Sequence, residues 1–231
     1  MILRHDRFQA NLGILSPTQQ QKIHSLHVMI VGVGGLGGHV SHLLARLGIG
    51  SMTLVDPDTF SLSNLNRQLF STSINLGKLK VEVISAKLHE IDSQIHITAH
   101  PLRFEALPET AWEGIDAVID CTDAPPTKVR LANLASEHEI DLLHGACAGW
   151  YGEVGWMSPH QSFMAEWYGT QSFGLERDLG NPSFNPAAIA SIMVSEFVKW
   201  AIGKPIVRDD LLLIDLENNQ MRRLKDKKED S

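Results

Sequence analysis

The sequence predicts an α/β protein with a Rossmann-like, mostly parallel sheet, helices on both faces and an antiparallel C-terminal extension. The first indication is a β-branched apolar run over 27–33, which stops at a glycine-rich loop and is followed by an amphipathic helix over 36–47. An apolar strand over 51–55 then completes a βαβ unit. Further strands and helices alternate up to residue 143, as is typical of a parallel sheet.

The remaining elements follow from local patterns. Ser16 and Pro17 form a helix-start signal inside a predicted pair of short N-terminal helices over 5–25. Apolar periodicity predicts helices over 78–91, 128–139 and 185–200. Apolar or alternating runs predict strands at 95–99, 117–120, 140–143, 153–157, 211–216 and 220–224.

Two segments have no regular pattern. Residues 158–186 contain glycines, prolines and aromatics without periodicity, which predicts a mobile or crossover loop of functional importance. Residues 225–231 read KDKKEDS and predict a solvated tail. With no internal repeat, the expected organisation is one domain over 1–231.

Composition restricts the function classes. The chain has 231 residues, 43% of them hydrophobic, and a formal net charge of −7, which argues against a nucleic-acid surface. Its two cysteines, Cys121 and Cys147, form no CxxC pair, so we expect neither a thiolate zinc site nor a disulfide framework. No signal-peptide pattern or membrane-length apolar run is present, so the cytoplasm is the expected location.

The glycine loop predicts an anion-binding helix start. A strand that leads through GxGGxG into a helix points backbone N–H groups and the helix dipole at a phosphate. Asp56 follows 19 residues after Gly37, where a carboxylate accepts hydrogen bonds from ribose hydroxyls. The nucleotide-binding residues predicted for the loop are Gly32, Gly34, Gly35, Leu36 and Gly37.

The segment after Asp56 favours ATP over a nicotinamide dinucleotide. Arg67 offers a bidentate phosphate contact and Lys80, on the next predicted helix, offers a point charge. Nucleotidyl transfer needs such cations because charge builds on the leaving pyrophosphate. We assign Asp58 and Gln68 to the same site.

A carboxylate beyond the strand over 117–120 predicts a magnesium ligand. The carboxyl ends of parallel strands face the ligand crevice, and Asp123 follows this strand closely. Mg²⁺ prefers one or two carboxylates together with phosphate oxygens. The alternative for Asp123 is to cap the following helix.

Together these segments resemble the ThiF/MoeB/HesA family of ubiquitin-activating-enzyme-like adenylyltransferases. The matching segments are RHDRF at 4–8, GVGGLGG at 32–38, LVDPDTFSLSNLNRQLF at 54–70, GKLKVE at 77–82, DCTDA at 120–124 and HGACAGWYGEVG at 144–155. The resemblance implies ATP- and Mg²⁺-dependent adenylylation of the C-terminal carboxylate of a small ubiquitin-like sulfur carrier that ends in Gly-Gly. The pathway would be thiamine, molybdenum cofactor or a related sulfur transfer.

The resemblance also implies residue roles. Asp56 would bind ribose, Asn64, Arg67 and Lys80 would hold phosphates, and Asp123 would bind Mg²⁺. Arg7 matches an arginine that the family supplies to the neighbouring subunit's active site, which implies a homodimer. Arg7, Arg67, Lys80 and Asp123 are thus the candidate catalytic residues.

The chain departs from the family pattern in its cysteines. It has neither CxxC pair of the zinc-binding members, nor a cysteine in the loop over 165–185. We therefore expect no zinc, and a bound or released acyl-adenylate as the product. Cys121 and Cys147 are expected to pack, although His144 offers a way to activate Cys147. The aromatic residues of the later half would line a groove or complete the core.

Three other functions remain open. The first is an ATP-dependent tRNA-modifying dehydratase of the same superfamily, which also lacks the zinc cysteines. The second is a non-catalytic module that binds nucleotide or carrier. The third is a nicotinamide-dependent oxidoreductase, which a nucleotide-binding test separates at once.

Overall fold

The fold is an eight-stranded sheet with helices on both faces, as the sequence predicts. It is seen in a computed structural model that describes residues 7–160 and 164–224. The strand order is β3-β2-β1-β4-β5-β6-β7-β8. The strands are β1 His27–Val31, β2 Ser51–Val55, β3 His96–His100, β4 Ala117–Asp120, β5 Asp141–Ala148, β6 Tyr151–Met157, β7 Leu211–Asp215 and β8 Gln220–Leu224.

The first five strands are parallel and the last three are antiparallel. β1 pairs with β2 and β4, β2 with β3, and β4 with β5, all in parallel. β6, β7 and β8 then add as an antiparallel extension. The helices are α1 Pro17–Ser25, α2 Gly35–Leu47, α3 Lys80–Ile91, α4 Pro125–Glu137, α5 Met164–Tyr168, α6 Glu176–Leu179 and α7 Phe184–Ala201.

The buried residues form two clusters, one on each face of the sheet. Val28 and Ile30 of β1 belong to the cluster shared with α2, α3 and α7, whereas Met29 and Val31 belong to the cluster shared with α4 and α5. This division follows from the period of two along a strand. Because both faces are covered, the parallel strands read as continuous apolar runs.

α7 lies directly against the antiparallel strands. At Gly145 of β5 an added Cβ would lie 2.2 Å from the Met193 sulfur, and at Gly152 of β6 it would lie 2.2 Å from Ile189 Cδ1. Both glycines therefore let the helix approach the sheet more closely than any side chain would permit.

Several boundaries differ from the predictions. α3 begins at Lys80, two residues late, because Leu79 makes a bridge with Thr59 before the helix starts. α4 begins three residues early, since Pro125 occupies its first position. β5 continues to Ala148 because β6 pairs along its whole length.

The irregular segments are only partly as predicted. The segment over 158–186 contains two short helices, α5 and α6, whose lengths are too small for a periodic signal. At the N-terminus α1 is confirmed with its Ser16 capping box, while Gln9–Asn11 is a 3₁₀ turn. Residues 1–6 and the predicted tail over 225–231 lie outside the described residues. Across the described ranges no helix combines the length and apolar character that a membrane crossing requires.

Candidate active site

The glycine loop closes the carboxyl end of β1 against the turn after β4. Gly32 has φ +82°, and a Cβ there would lie 2.7 Å from the Cys121 carbonyl oxygen. At Gly37 a Cβ would lie 1.9 Å from the Gly32 carbonyl oxygen, so this glycine is required by close backbone packing. A Cβ at Gly34 would meet only the Gln68 amide, at 3.3 Å, and Gly34 lines the cleft described next.

A cleft of about 320 Å³ lies over this loop, and we name it the first cleft. It runs along the carboxyl ends of β1, β2 and β4, where α/β proteins bind ligands. Most of the predicted site residues line it: Gly32, Gly34, Gly35, Leu36, Asp56, Asp58, Arg67, Gln68, Lys80 and Asp123. Gly37, Asn64 and Arg7 are not among the lining residues.

Asp56 and Lys80 form a buried charged pair at one end of the first cleft. Asp56 accepts hydrogen bonds from the Val33 and Asp58 N–H groups at 2.8 and 2.9 Å. The Lys80 ammonium lies 2.8 Å from Asp58 Oδ2 and 3.7 Å from Asp56 Oδ1. Burial raises the pKa of Asp56, and the Lys80 charge opposes that shift. The contact of Lys80 with phosphate therefore stays a prediction, because here the ammonium is held by two carboxylates.

Arg67 and Gln68 approach the loop from the segment between β2 and α3. The Arg67 side chain lies against Gly35, with Cγ 3.6 Å from the position of a Gly35 Cβ. Its guanidinium donates to Ser63 O and Asn66 Oδ1. Gln68 is 7% exposed, and its Oε1 has no hydrogen-bond partner among the described residues. Gln68 therefore carries a buried acceptor without a donor from the described chain next to the glycine loop, whereas its amide nitrogen lies nearer Gly34.

Asn64 supports this segment from behind. Its Oδ1 accepts from the Ser61 N–H and closes a capping box around a 3₁₀ turn over Leu62–Asn64. The residue is 8% exposed and is absent from the cleft lining. The geometry thus gives Asn64 a role in shaping the loop, and its contact with phosphate stays a prediction.

Asp123 lies exposed on the turn between β4 and α4. Ala124 is the N-cap of α4 and makes no side-chain cap hydrogen bond, so the capping alternative for Asp123 finds no support. Asp120, three residues earlier at the end of β4, accepts hydrogen bonds from the Thr122 N–H and hydroxyl at 2.9 and 2.7 Å. These bonds fix the turn that carries Asp123 to the first cleft.

Arg7 contacts a different part of the chain. Its guanidinium pairs with Asp92 at 3.2 Å and donates to the Ile91 carbonyl, at the C-terminal end of α3. Lys80 begins the same helix, so the two ends are about 17 Å apart along its axis. The described contacts therefore do not place Arg7 at the first cleft of its own chain.

A second cavity, of about 610 Å³, adjoins the first cleft and was missed by the sequence analysis. It lies on the face of β5, β6, β7 and β8 that α4, α5 and α6 cover. The two spaces share Asp123, Ala146, Cys147 and Glu176 in their linings. They therefore form one continuous surface from the glycine loop to the antiparallel strands.

Three buried ionisable residues, Asp120, Lys128 and His144, and the half-buried Glu153 support the second cavity. His144 Nδ1 lies 3.0 Å from Asp120 Oδ2, and its Nε2 lies 3.1 Å from Glu153 Oε1. The Lys128 ammonium donates to Asp120 Oδ2 at 3.2 Å and to the Gly145 carbonyl at 2.9 Å. Burial acts to raise the pKa of Asp120, but the Lys128 charge and the His144 hydrogen bond outweigh it and hold that pKa well below its usual range.

The sequence contains a weak signal for this network. Lys128 falls on the apolar side of the predicted helix over 128–139, and His144 and Glu153 lie on neighbouring strands. The pairing of Asp120 with His144, and of Ala146 with Glu153, brings them together. The first register joins strands that are separated by α4, and the second depends on the exact hairpin between β5 and β6, so apolar periodicity does not reveal either pairing.

The cysteines are placed as the packing interpretation predicts. Burial raises the pKa of Cys121 well above its ordinary value, and burial raises the pKa of Cys147 to about 11. The ring nitrogens of His144 face Asp120 and Glu153, so the idea that His144 activates Cys147 is wrong.

The aromatic residues divide between core and cavity. Trp156 is fully buried, whereas Tyr151, Trp167 and Tyr168 line the second cavity. In the described part of the chain no group of three or more His, Cys, Asp or Glu residues has metal-binding geometry. The expectation that the protein holds no zinc stays a prediction.

Fold and site together define an α/β protein whose crevice suits a nucleotide. The sequence profile of the ThiF family matches residues 7–231, and the chain belongs to that family. This finding confirms the resemblance drawn from its motifs.

Relatives with assigned functions are of two kinds. A molybdopterin-synthase adenylyltransferase of Haemophilus influenzae is 36% identical over 154 residues, 66% of this chain and 63% of the relative. A tRNA threonylcarbamoyladenosine dehydratase of the same organism is 31% identical over 155 residues, 64% of this chain and 59% of the relative. An adenylyltransferase and sulfurtransferase, uba4, of Aspergillus terreus is 39% identical over 119 residues, 50% of this chain and 24% of the relative. The matches thus span less than two thirds of these relatives.

Solved structures of the same fold confirm the architecture. Escherichia coli MccB with ATP has a TM-score of 0.79 and 20% sequence identity, and covers 95% of this chain and 71% of its own. PaaA has a TM-score of 0.75 and 20% identity, with 95% of this chain and 72% of its own covered. At this identity the likeness concerns the fold alone.

Proposed function

We propose that this chain adenylylates the C-terminal carboxylate of a small ubiquitin-like sulfur carrier that ends in Gly-Gly. The observation that carries the proposal is the first cleft, in which the glycine loop at the start of α2, Asp56 and Arg67 line one space. The loop N–H groups and the helix dipole favour phosphate, and the Asp56 carboxylate can accept hydrogen bonds from ribose hydroxyls. A nucleotide supplies both kinds of group.

ATP is the nucleotide that the charges of the first cleft favour. Arg67 lies against Gly35 at the start of α2, where cationic and helix-dipole fields add. Asp123 lies exposed at the facing edge and would hold Mg²⁺, which supplies charge neutralisation for the leaving pyrophosphate. Asp56, held by backbone N–H groups at the other end, would bind the ribose, and Lys80 beside it would contact phosphate.

The chemical step requires no thiol and no proton transfer from the protein. A carboxylate oxygen attacks the α-phosphorus of ATP and forms a new bond between that oxygen and phosphorus. The bond between the α-phosphorus and the bridging oxygen breaks, and its electron pair leaves with pyrophosphate. The work left to the residues is positioning and charge stabilisation. This fits two cysteines whose thiols stay protonated.

The second cavity is where the carrier's tail would lie. It opens into the first cleft beside Asp123, so a chain end threaded through it would bring its carboxylate to the nucleotide. Its volume is within the usual range of ligand sites and accommodates a short extended segment. The small Ala146 and Ala148 side chains leave room on β5.

The proposed assembly is a homodimer in which Arg7 serves the partner's first cleft. The described Arg7 contacts hold it at the far end of α3, which fits action outside its own cleft. Mixing an Arg7→Ala chain with an Asp123→Ala chain should then restore part of the activity in hybrid dimers. A strictly monomeric active protein would contradict this assembly.

ATP–pyrophosphate exchange tests the proposed reaction. With Mg²⁺, exchange should require a carrier protein ending in Gly-Gly, and Asp123→Ala should abolish it while the exposed Glu113→Gln control leaves it intact. Tight NADH binding without ATP binding would overturn the proposal.

A dehydratase acting on tRNA threonylcarbamoyladenosine is the second candidate, favoured by the relative of that name. The same exchange assay separates the two. Exchange that depends on tRNA carrying this nucleoside, and that no carrier protein supports, would establish the second function. The net charge of −7 favours the protein substrate.

A further inference from the structure

On one side of the second cavity Trp167 and Tyr168 of α5 form a wall, which hydrogen bonds connect to the sheet through a single carboxylate, that of Glu153. Glu153 Oε2 accepts a hydrogen bond from the Trp167 indole at 3.0 Å, and Oε1 accepts from the Tyr168 hydroxyl and from His144. Trp167 and Tyr168 are adjacent residues at the end of α5, and both line the cavity. A single side chain of β6 therefore holds two aromatic residues of the wall.

Glu153 is itself in a central position on the cavity floor. The registers place Ala146, Glu153, Leu213 and Arg222 in one row across β5, β6, β7 and β8. A neighbouring row consists of Ala148, Tyr151, Asp215 and Gln220. All eight residues line the cavity, so the floor is formed by two cross-strand rows.

The charge of Glu153 is retained in spite of its burial. Burial acts to raise the pKa of Glu153, but the His144 hydrogen bond and charge outweigh it and hold that pKa below its ordinary value. His144 is fully buried, and carboxylate oxygens face both of its ring nitrogens. The Tyr168 hydroxyl also lies 3.2 Å from His144 Nε2, so His144 and Tyr168 contact the Glu153 carboxylate together. Lys128 pairs with Asp120 on the other side of the imidazole ring.

We propose that Glu153 is a specificity-determining residue of the second cavity: paired with His144, it fixes Trp167 and Tyr168 as the wall that selects narrow, glycine-rich tails. The ordering of the wall follows from contacts within the chain. The selection of a tail rests on the proposed function, since it assumes that a carboxylate substrate enters this cavity. Glu153 acts through the aromatic pair and is a positioning residue.

Selection would follow because the hydrogen bonds to Glu153 restrict the movement of α5 away from the cavity. This helix has five residues, too few to be stable alone, so it depends on tertiary contacts. Met164 and Tyr168 bury one side of it against the α4 face. The Trp167 side chain is 38% exposed and donates its indole hydrogen bond to Glu153. Without that bond the wall would yield to larger side chains.

Hydrogen–deuterium exchange tests whether Glu153 orders the wall. Glu153→Gln removes the charge while keeping the size, and places an amide donor against the donors of His144 or Trp167. Exchange of residues 164–179 should become about tenfold faster, while β1 and α2 change little. Glu166→Gln, an exposed charge change on the same helix, is the matched control and should show no acceleration. Equal exchange in Glu153→Gln and wild type would overturn the proposal.

Peptide binding tests the selection itself. Fluorescein-labelled hexapeptides with free C-termini are titrated against the protein with α,β-methylene-ATP, which cannot transfer its α-phosphorus. One peptide ends in four glycines, and the others carry one phenylalanine at each of those positions in turn. For at least one of the phenylalanine peptides, the dissociation constant for wild type should be about tenfold or more above that of the all-glycine peptide. In Glu153→Gln this ratio of dissociation constants should be about fivefold smaller. Identical ratios in the two proteins would overturn the selective role.

Trp167→Phe is the second variant, for the case that Glu153→Gln fails to fold. It removes only the outer hydrogen bond and should relax the peptide ratio in the same direction, by a smaller factor. If no peptide binds wild type, the selective role falls together with the proposed tail substrate. ATP binding would separately decide the nucleotide part of the proposed function.

Discussion

The first cleft and the second cavity adjoin each other but are built in different ways. The centre of the first cleft is formed by backbone geometry: the end of β1, the glycine loop, the start of α2 and the turn after β4. Side chains from four strands and three helices form the second. We expect the folding of the first cleft to be sensitive to one added methyl group, because its backbone segments are in close contact. We expect the stability of the second cavity to depend on the charges of its buried ion pairs. The four changes below test this difference.

Gly37→Ala should have the largest effect. The added Cβ would lie 1.9 Å from the backbone oxygen of Gly32, and no side-chain movement relieves that overlap. We expect a loss of more than about 4 kcal/mol in the free energy of unfolding, or no folded protein. Gly38→Ala, the next residue, meets only ordinary contacts at 3.6 Å or more and is the control. Urea denaturation of both variants gives the comparison, and equal stability would contradict the backbone account of the first cleft.

Asp120→Asn should cost about 3–5 kcal/mol of stability because it leaves Lys128 as a buried unmatched cation and weakens the contact with His144 Nδ1. The pKa of Asp120 is lowered on folding, so its contribution is complete above its unfolded value of about 3.9 and is lost as pH falls below it.

Denaturation at several pH values measures this contribution. The gap between wild type and Asp120→Asn should be widest near neutral pH and should narrow below about pH 4. Asp178→Asn, an exposed acid, should change stability by less than about 0.5 kcal/mol. A gap that does not depend on pH would show that the second cavity does not depend on charge balance.

Gln68→Leu should separate binding from stability. Its Oε1 is buried without a partner, so removing it should leave the unliganded protein equally or slightly more stable. ATP affinity should fall about tenfold, or about 1.4 kcal/mol, because the polar amide that lines the first cleft beside Gly34 is lost. Calorimetric titration and thermal unfolding, with the exposed Gln21→Leu as control, measure both quantities. Unchanged ATP affinity would mean that the Gln68 amide contacts no part of the nucleotide.

Arg7→Ala should have the smallest effect on stability, at most about 1 kcal/mol, since its pairing with Asp92 is partly exposed. ATP affinity measured on the separated monomer, if one exists, should not change. A larger loss of stability would mean that the main role of Arg7 is to hold the end of α3. That result would count against the proposal that Arg7 acts in the partner's first cleft.

The sequence predicts the first cleft well because its determinants are local. The glycine spacing, the 19-residue interval to Asp56 and the strand before Asp123 all report short-range geometry, and most of the residues they point to line one space. Asn64 shows the limit of this reasoning: a motif position identifies a segment, but only the capping box around Ser61 reveals which way its side chain faces.

The second cavity escapes prediction for a physical reason. Glu153 and Tyr168 meet because β6 pairs against β5 and because α5 packs on α4, and neither arrangement is encoded by a local period. The two helices within 158–186 have four and five residues, shorter than the repeat needed to recognise them. Lys128 is misleading as well, since a charged residue on an apolar helix face is expected to be exposed.

Because α7 lies so close to Gly145 and Gly152, the antiparallel strands have room to move on only one of their two faces. Behind these strands the Met193 and Ile189 side chains of α7 fill the space against Gly145 and Gly152, so the sheet cannot move toward the helix. Any widening of the second cavity must therefore come from the short helices in front of it. Variants selected for larger substrates should accumulate changes in α5 and α6 rather than in α7.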